Sequence, residues 1–342
     1  GMKQNGFAPK TQDAVVQFIS SFALYGFPES HAASFALLAY ASAFLKVRYL
    51  AAFTAALLNN WPMGFYAPAT LVKDAQRHGL RVKPVDVTRS DWLCTLEQDE
   101  QKLSLRLGLR YVKSLQKVTA ASLVRARETH PFSSISDLAA RVPELSKSDF
   151  QMLAQIGALN FIGKEQGVQL HRRDALWESK KAAQPVGPLL GNLGELDAPS
   201  PLVRMSTDER LIADYAGTGV TVDRHPLFYR RKELREMGIR AAYELTQMAD
   251  GGPVRTAGCV ISRQRPGTAQ GFIFLSLEDE TGISSAIITP ALYASSTMTV
   301  LHERFVLIEG TLQNRDKVVH VRAGTIQPLL MPQIATASHD FH

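Results

Sequence analysis

The chain has 342 residues, 45% hydrophobic and 20% charged, enough for two or three domains with sizeable cores and too apolar for wholesale disorder. Its two cysteines, Cys94 and Cys259, lie far apart and fit no metal spacing, which excludes a disulfide scaffold and suits a reducing cytosol. The net charge of +6 sits almost wholly in residues 100–182, with 14 basic and 8 acidic side chains, while residues 251–342 balance at 7 and 7, so a polyanion is expected to meet the former segment.

Residues 12–25 read as an amphipathic helix on Val15, Val16, Phe18, Ile19 and Phe22. Pro28 then interrupts, and Ser30 is placed to cap a second helix running to about Tyr49. His31 falls in its first turn, where unpaired amides and the helix dipole favour a phosphate, although a lone histidine there is most often only part of a capped helix. The apolar run Ala32 to Leu45 is too short to span a bilayer and is closed by Lys46 and Arg48, and no secretory signal is seen, so a cytoplasmic protein is expected. A third helix covers 51–58, stopped by Asn59, Asn60 and Pro62. A fourth covers 67–78, ended by Gly79, and Val82 to Val87 is extended.

Lys102 to Leu109 alternates strictly, Leu103, Leu105 and Leu107 against Lys102, Ser104 and Arg106, and predicts a half-buried strand. Leu109 to Val118 followed by a helix over 119–128 forms a two-helix hairpin whose turn holds Ser114 and Gln116. Lys113, Lys117, Arg125 and Arg127 surround it, either as a phosphate-binding set or as a solvated basic face. Helices follow over 133–140, 146–156 and 166–182, with serine start signals at Ser134 and Ser146 and a stop at Gly157. Seven Pro and Gly residues between Gln184 and Pro201 mark a linker or irregular loop. Short helices are expected over 207–215, 226–237 and 241–248.

From Pro253 the period changes to two. Strands are expected over 254–261, 272–277, 284–288, 305–312 and 318–326, with a helix near 290–297 between the third and fourth. That is the order of an OB barrel. Phe272 and Phe274 share one face, read as barrel core in preference to a base-stacking platform. Arg263 and Arg265 are placed in the first loop as DNA contacts. Glu278-Asp279-Glu280 reads as a solvated turn, and residues after Met331 as a loose tail. No paired carboxylate set for two-metal chemistry, no phosphate loop and no His/Cys cluster appears.

Tyr25-Gly26-Phe27-Pro28-Glu29-Ser30-His31-Ala32-Ala33-Ser34-Phe35-Ala36-Leu37-Leu38-Ala39-Tyr40, Phe44-Leu45-Lys46 and Asn59-Asn60-Trp61-Pro62-Met63-Gly64-Phe65-Tyr66-Ala67-Pro68 resemble the end of the fingers domain of bacterial C-family DNA polymerases, related to the polymerase III alpha subunit. The Pro-Met-Gly-Phe-Tyr segment is similar to the error-prone branch. The resemblance implies an α+β multidomain fold: a helical fingers subdomain (1–99), a strand plus helix-hairpin-helix module (100–182), a linker with short helices (183–250), a five-stranded OB barrel (251–330) and a tail (331–342). It places His31 against the sugar of the incoming nucleotide as a steric filter on ribonucleotides, with Ser30 beside it and Lys46 toward template or phosphate.

The resemblance further implies that the hairpin binds duplex DNA through backbone amides, in a turn where glycines are usual and this chain has Ser114 and Gln116. Partners implied are a primer-template, an incoming deoxynucleotide and accessory mutagenesis proteins. Gln184 with Leu189 and Leu190 matches the family's clamp-binding peptide poorly, so recruitment by a partner is expected instead of direct clamp binding. No cofactor is expected in this chain, Mg²⁺ being expected for the intact polymerase, whose metal-holding palm lies before the fingers. The chain would then be a fragment of a damage-induced translesion polymerase, inactive by itself. A non-catalytic DNA-repair adaptor is the competing class.

Overall fold

The computed structural model describes residues 2, 4–24, 29–64, 66–100, 102–163, 170–182, 200–315, 318–331 and 339–341. The chain divides into two units, Gly1–Phe53 and Thr54–His342, with the division inside the third helix, α3 (Leu50–Asn59).

The first unit is helical, with α1 (Pro9–Leu24) and α2 (Glu29–Arg48) in the expected places. Apolar residues lie all round α2, so Phe35, Leu37, Leu38, Tyr40 and Phe44 are exposed within it. Ser30 is the second residue of the helix and therefore not its cap. Residues 25–28, on which the expected helix break rests, lie outside the described residues.

In the second unit α4 (Pro68–Arg77) starts on a proline, whose missing N–H costs nothing at that position, and closes at Gly79 with φ 88°. A small sheet follows in the order β1 (Val82–Lys83), β3 (Lys102–Arg106), β2 (Thr95–Asp99), with β1 parallel and β2 antiparallel to β3. The sequence pattern missed β2, because Glu97 and Asp99 interrupt any apolar alternation. It also misjudged the polar side of β3. Arg106 is buried there, its guanidinium donating to Glu97 and to the Pro84 carbonyl at 3.0 Å. Gly108 is required where β3 leaves the sheet: a Cβ would lie 2.5 Å from the Trp92 carbonyl oxygen.

Five helices then pack around a core that includes Leu109, Leu123, Leu138, Leu153 and Leu159. They are α5 (Lys117–Thr129), α6 (Ile135–Arg141), α7 (Lys147–Gln155), α8 (Arg172–Ala182) and α9 (Thr207–Thr218). Ser134, Ser146 and Ser206 each accept an amide of the first turn of α6, α7 and α9, worth about 1 kcal/mol apiece. The expected helix over 166–182 begins at Arg172; residues 164–169 and 183–199, including the linker and Gln184, Leu189 and Leu190, lie outside the described residues.

A 3₁₀ turn (Pro226–Arg230) leads into α10 (Arg231–Glu236) and α11 (Ala242–Leu245). The barrel strands are β4 (Pro253–Gln264), β5 (Ile273–Glu278), β6 (Ile283–Ile288), β7 (Phe305–Arg315) and β8 (Val318–Pro328). They hydrogen-bond in the order β5-β6-β8-β7-β4 and close by a β4–β5 pairing, with β6 and β8 parallel. The helices α12 (Pro290–Ser295) and α13 (Thr297–His302) lie between the third and fourth strands. This is a closed OB barrel in an α+β chain, as the sequence order predicts.

Three expectations about the barrel need correction. Ile273, Leu275 and Leu277 fill its interior, which turns Phe272 and Phe274 to the outer face; a one-residue error in phase inverts every side chain of a strand. The segment expected as a loose tail contributes β9 (His339–Phe341), parallel to β4. The acidic turn is not solvated: Glu278 and Asp279 are buried, because Arg77 and Arg231 reach them from α4 and α10. On the outside of the barrel, Ala257, Cys259, Phe305 and Leu307 pack with Leu211, Tyr215, Leu227 and Leu234, so the short helices are bound to the barrel wall.

Candidate nucleic-acid interface

The hairpin is built on a buried 3₁₀ turn, Leu109–Tyr111, with Val112 and Leu115 buried beyond it. Arg110 donates to the Trp61 carbonyl at 2.8 Å and the Tyr111 hydroxyl to the Leu58 carbonyl at 2.8 Å, satisfying acceptors left open where α3 ends at Asn59-Asn60. This fixed base exposes Lys113, Ser114, Gln116, Lys117 and Val118. Among the described residues of the turn none has positive φ, so Ser114 and Gln116 stand without strain where the family pattern has glycines. Gln116 is extended, at φ −80° and ψ 149°, and gives α5 no side-chain cap. The amides of its first turn thus face outward without a side-chain acceptor, beside the Lys117 amine.

The expected basic set divides. Lys117 lies at the mouth of the turn, and the exposed Arg125, about 12 Å further along α5, touches the Ser122 hydroxyl at 3.2 Å. Lys113 is exposed, yet its amine donates to the Tyr215 carbonyl at 3.2 Å, near the C-terminal end of α9 where a cation is favoured. Arg127 turns inward, donating to the Ser90 carbonyl at 2.9 Å, the Val87 carbonyl at 3.2 Å and Asp91 at 2.8 Å, and acts as a brace for that loop.

On the barrel, β4 runs to Gln264, so Arg263 lies in the strand and not in the first loop. It is buried, with Nε donating to the Val300 carbonyl at 2.6 Å and Nη1 facing Asp340 at 3.4 Å. Arg265 is exposed, its guanidinium 5.0 Å from the Tyr293 ring centre. It borders a cleft of about 590 Å³ between Tyr66 and Thr70 on one side and Ile261, Ser262 and Ser276 on the other. Tyr66, 57% exposed, is the part of this site that sequence reasoning passed over. Its position at the end of the Pro-Met-Gly-Phe-Tyr segment was the available signal.

In the first unit Ser30 and His31 are exposed, the His31 ring 4.4 Å from that of Phe35 at a tilt of 49°. Lys46 lies on the same helix about 22 Å further along, too far to hold one phosphate together with His31.

The acidic turn joins β5 to β6. Burial pushes the Glu278 carboxyl up to about 7 despite the Arg77 guanidinium at 2.8 Å, and burial pulls the Lys73 amine down to about 8. Both Asp279 oxygens are used: Oδ1 accepts from the Thr281 and Gly282 amides at 2.7 and 3.0 Å, and Oδ2 from the Ala242 amide at 2.8 Å and Arg231 at 3.0 Å. Arg231 also holds Glu280. Oxygens so committed do not fit a divalent cation, and among the described residues no group of three His, Cys, Asp or Glu is disposed to hold a metal. Among the same residues no helix is long and apolar enough to cross a membrane.

Residues 79–169 match the family model described as a helix-hairpin-helix motif, which contains the turn and α5. Error-prone DNA polymerases of Alkalilimnicola ehrlichii and Methylococcus capsulatus are 41% and 39% identical to the chain over 345 and 362 residues. Each match takes in 100% of the chain, and 33% and 34% of the relative. The chain is similar, end to end, to a third of an error-prone DNA polymerase. A third relative, the error-prone DNA polymerase of Anaeromyxobacter dehalogenans, is 40% identical over 351 residues and is covered to 30% of its length. The chain thus spans about one third of the curated relatives it matches, and the resemblance to the error-prone branch of the C-family polymerases extends along all of it.

Proposed function

We propose that this chain is the C-terminal portion of an error-prone DNA-directed DNA polymerase and that it holds DNA for catalytic groups carried elsewhere in that enzyme. The observation that carries the reading is the exposed hairpin turn, where the uncapped first turn of α5 and Lys117 face outward within the helix-hairpin-helix segment. Backbone amides and a lysine at a helix N-terminus suit a phosphate and carry no base preference, as a polymerase that must track any sequence requires. In this reading the α2 segment with Ser30, His31 and Lys46 meets the incoming deoxynucleotide and template. The barrel cleft beside Tyr66 and Arg265 takes single-stranded template or an accessory mutagenesis protein.

Nucleotidyl transfer needs carboxylates that hold Mg²⁺, and the acidic turn here is committed to arginines and amides, so the chain alone is expected to incorporate no nucleotide. The setting would be damage-induced translesion synthesis in the cytoplasm. One observation favours the adaptor reading as an alternative: Lys113, Arg127 and Arg263, three of the expected DNA contacts, hydrogen-bond within the protein. Titration of labelled duplex and single-stranded DNA in rising salt separates the two. A polymerase grip gives salt-dependent duplex binding, whereas an adaptor captures a partner and leaves the duplex unbound.

A further inference from the structure

A second cleft, of about 640 Å³, opens between α4 and the 3₁₀ turn Pro226–Arg230, and none of its lining residues lines the barrel cleft or belongs to the hairpin turn. That volume suits a nucleotide-sized ligand. The turn buries Pro226 and Leu227 but leaves Phe228 and Tyr229 44% and 40% exposed, their rings 5.6 Å apart and edge to face. Two neighbouring aromatics kept in water forgo burial worth about 1.5–3 kcal/mol for a ring of that size. The exposed Arg224 lies over the Phe228 ring at 4.9 Å, and the exposed Arg210 is close enough for its charge to act on the Tyr229 phenol.

The cleft is held in shape. Gln76 donates to the Val222 carbonyl at 2.7 Å, the Lys73 amine donates to the Asp223 carbonyl, and His225 Nδ1 accepts from the Leu227 amide at 3.2 Å. Of the acids that face it, Glu280 is held by Arg231 and Asp223 lies within the field of Lys73.

We propose that this cleft is a binding site for single-stranded DNA, in which a base stacks on Phe228 and Tyr229 and the adjoining phosphates meet Arg224 and Arg210. Exposed aromatics flanked by guanidinium groups form a stacking platform that any base can use. An extended peptide would instead seek backbone partners, and the carbonyls of Val222 and Asp223 are already taken by Gln76 and Lys73. The site goes beyond the hairpin and barrel contacts proposed above and does not depend on either.

The test is fluorescence anisotropy of the whole chain with a labelled twelve-nucleotide thymidine strand and with a duplex of equal length. Phe228→Ala with Tyr229→Ala is expected to weaken single-strand binding about 5- to 150-fold, the loss of one stacked base, and to leave duplex binding within about twofold. Arg224→Gln, at an exposed position that does not threaten folding, is expected to lower the salt slope of single-strand binding by about 0.7. Unchanged single-strand affinity in both variants overturns the proposal, as does an equal loss for strand and duplex. Binding of an acidic aromatic peptide that is lost in the Phe228→Ala, Tyr229→Ala variant, while strand affinity in that variant is unchanged, would assign the cleft to a protein partner and overturn it too. Lys117→Ala serves as the control that separates this site from the hairpin, since it is expected to weaken the duplex alone.

Discussion

The Arg231 guanidinium and the Asp279 carboxylate meet at 3.0 Å, both buried, 48 positions apart in the chain. Their pairing joins α10 to the end of β5, and the same carboxylate receives the Ala242 amide that opens α11. Asp279→Asn therefore removes one of the two carboxylates that hold the buried Arg231, Glu280 keeping the other contact, and weakens the polar half of the attachment of the short helices to the barrel. A loss of about 1.5–3 kcal/mol in urea unfolding is expected, and less than about 0.5 kcal/mol, the scatter of a surface substitution, would show that the pair contributes only geometry.

Glu97 gives a pH-dependent counterpart. The Arg106 side chain hydrogen-bonds its carboxylate and holds it down at about 2, with Lys83 adding to the effect. A carboxylate lowered in the fold stabilises above its ordinary value near 4.5, and that stability disappears as pH falls toward 2. Glu97→Gln should cost about 1–2 kcal/mol at pH 7, solvent screening the partly exposed pair, and nearly nothing at pH 2. Urea midpoints for both proteins across that range check it, and parallel curves would contradict the assignment.

Arg127 separates stability from binding. Its three hydrogen bonds to the loop at 87–91 predict that Arg127→Ala loses about 1.5–3 kcal/mol of stability. Duplex affinity measured well below its Tm should stay within about twofold. A large loss of affinity in the still-folded variant would return Arg127 to the DNA path.

His31 is exposed in the first turn or so of α2, so truncation there should leave the fold intact. In the intact polymerase His31→Ala is expected to relax discrimination against ribonucleotides, read as the ratio of kcat/KM for deoxynucleotide and ribonucleotide. An unchanged ratio removes the steric role.

Much of this was legible beforehand. The period-two segments after Pro253 and the helix between the third and fourth of them suffice for an OB barrel, and serines three residues before an acid marked the starts of α6 and α7. What escaped was decided by long-range pairing. Glu97 and Asp99 hide β2 until Lys83 and Arg106 are placed beside them. Glu278-Asp279-Glu280 looks solvated until Arg77 and Arg231 arrive from roughly 200 and 48 positions away. The candidate site was half readable for the same reason. A basic residue near a turn can stand free in solvent, as Lys117 does, or brace a loop, as Arg127 does, and only the fold distinguishes them. Phe228 and Tyr229 gave no signal, since an aromatic pair in a short helix reads as core.

The most direct measurement is the salt dependence of duplex binding for the whole chain and for Lys117→Ala. If the α5 turn grips the DNA backbone, log K falls linearly with log salt and the variant's slope is shallower by about 0.9, one phosphate contact. A duplex affinity indifferent to salt, or a slope untouched by the substitution, would contradict the account.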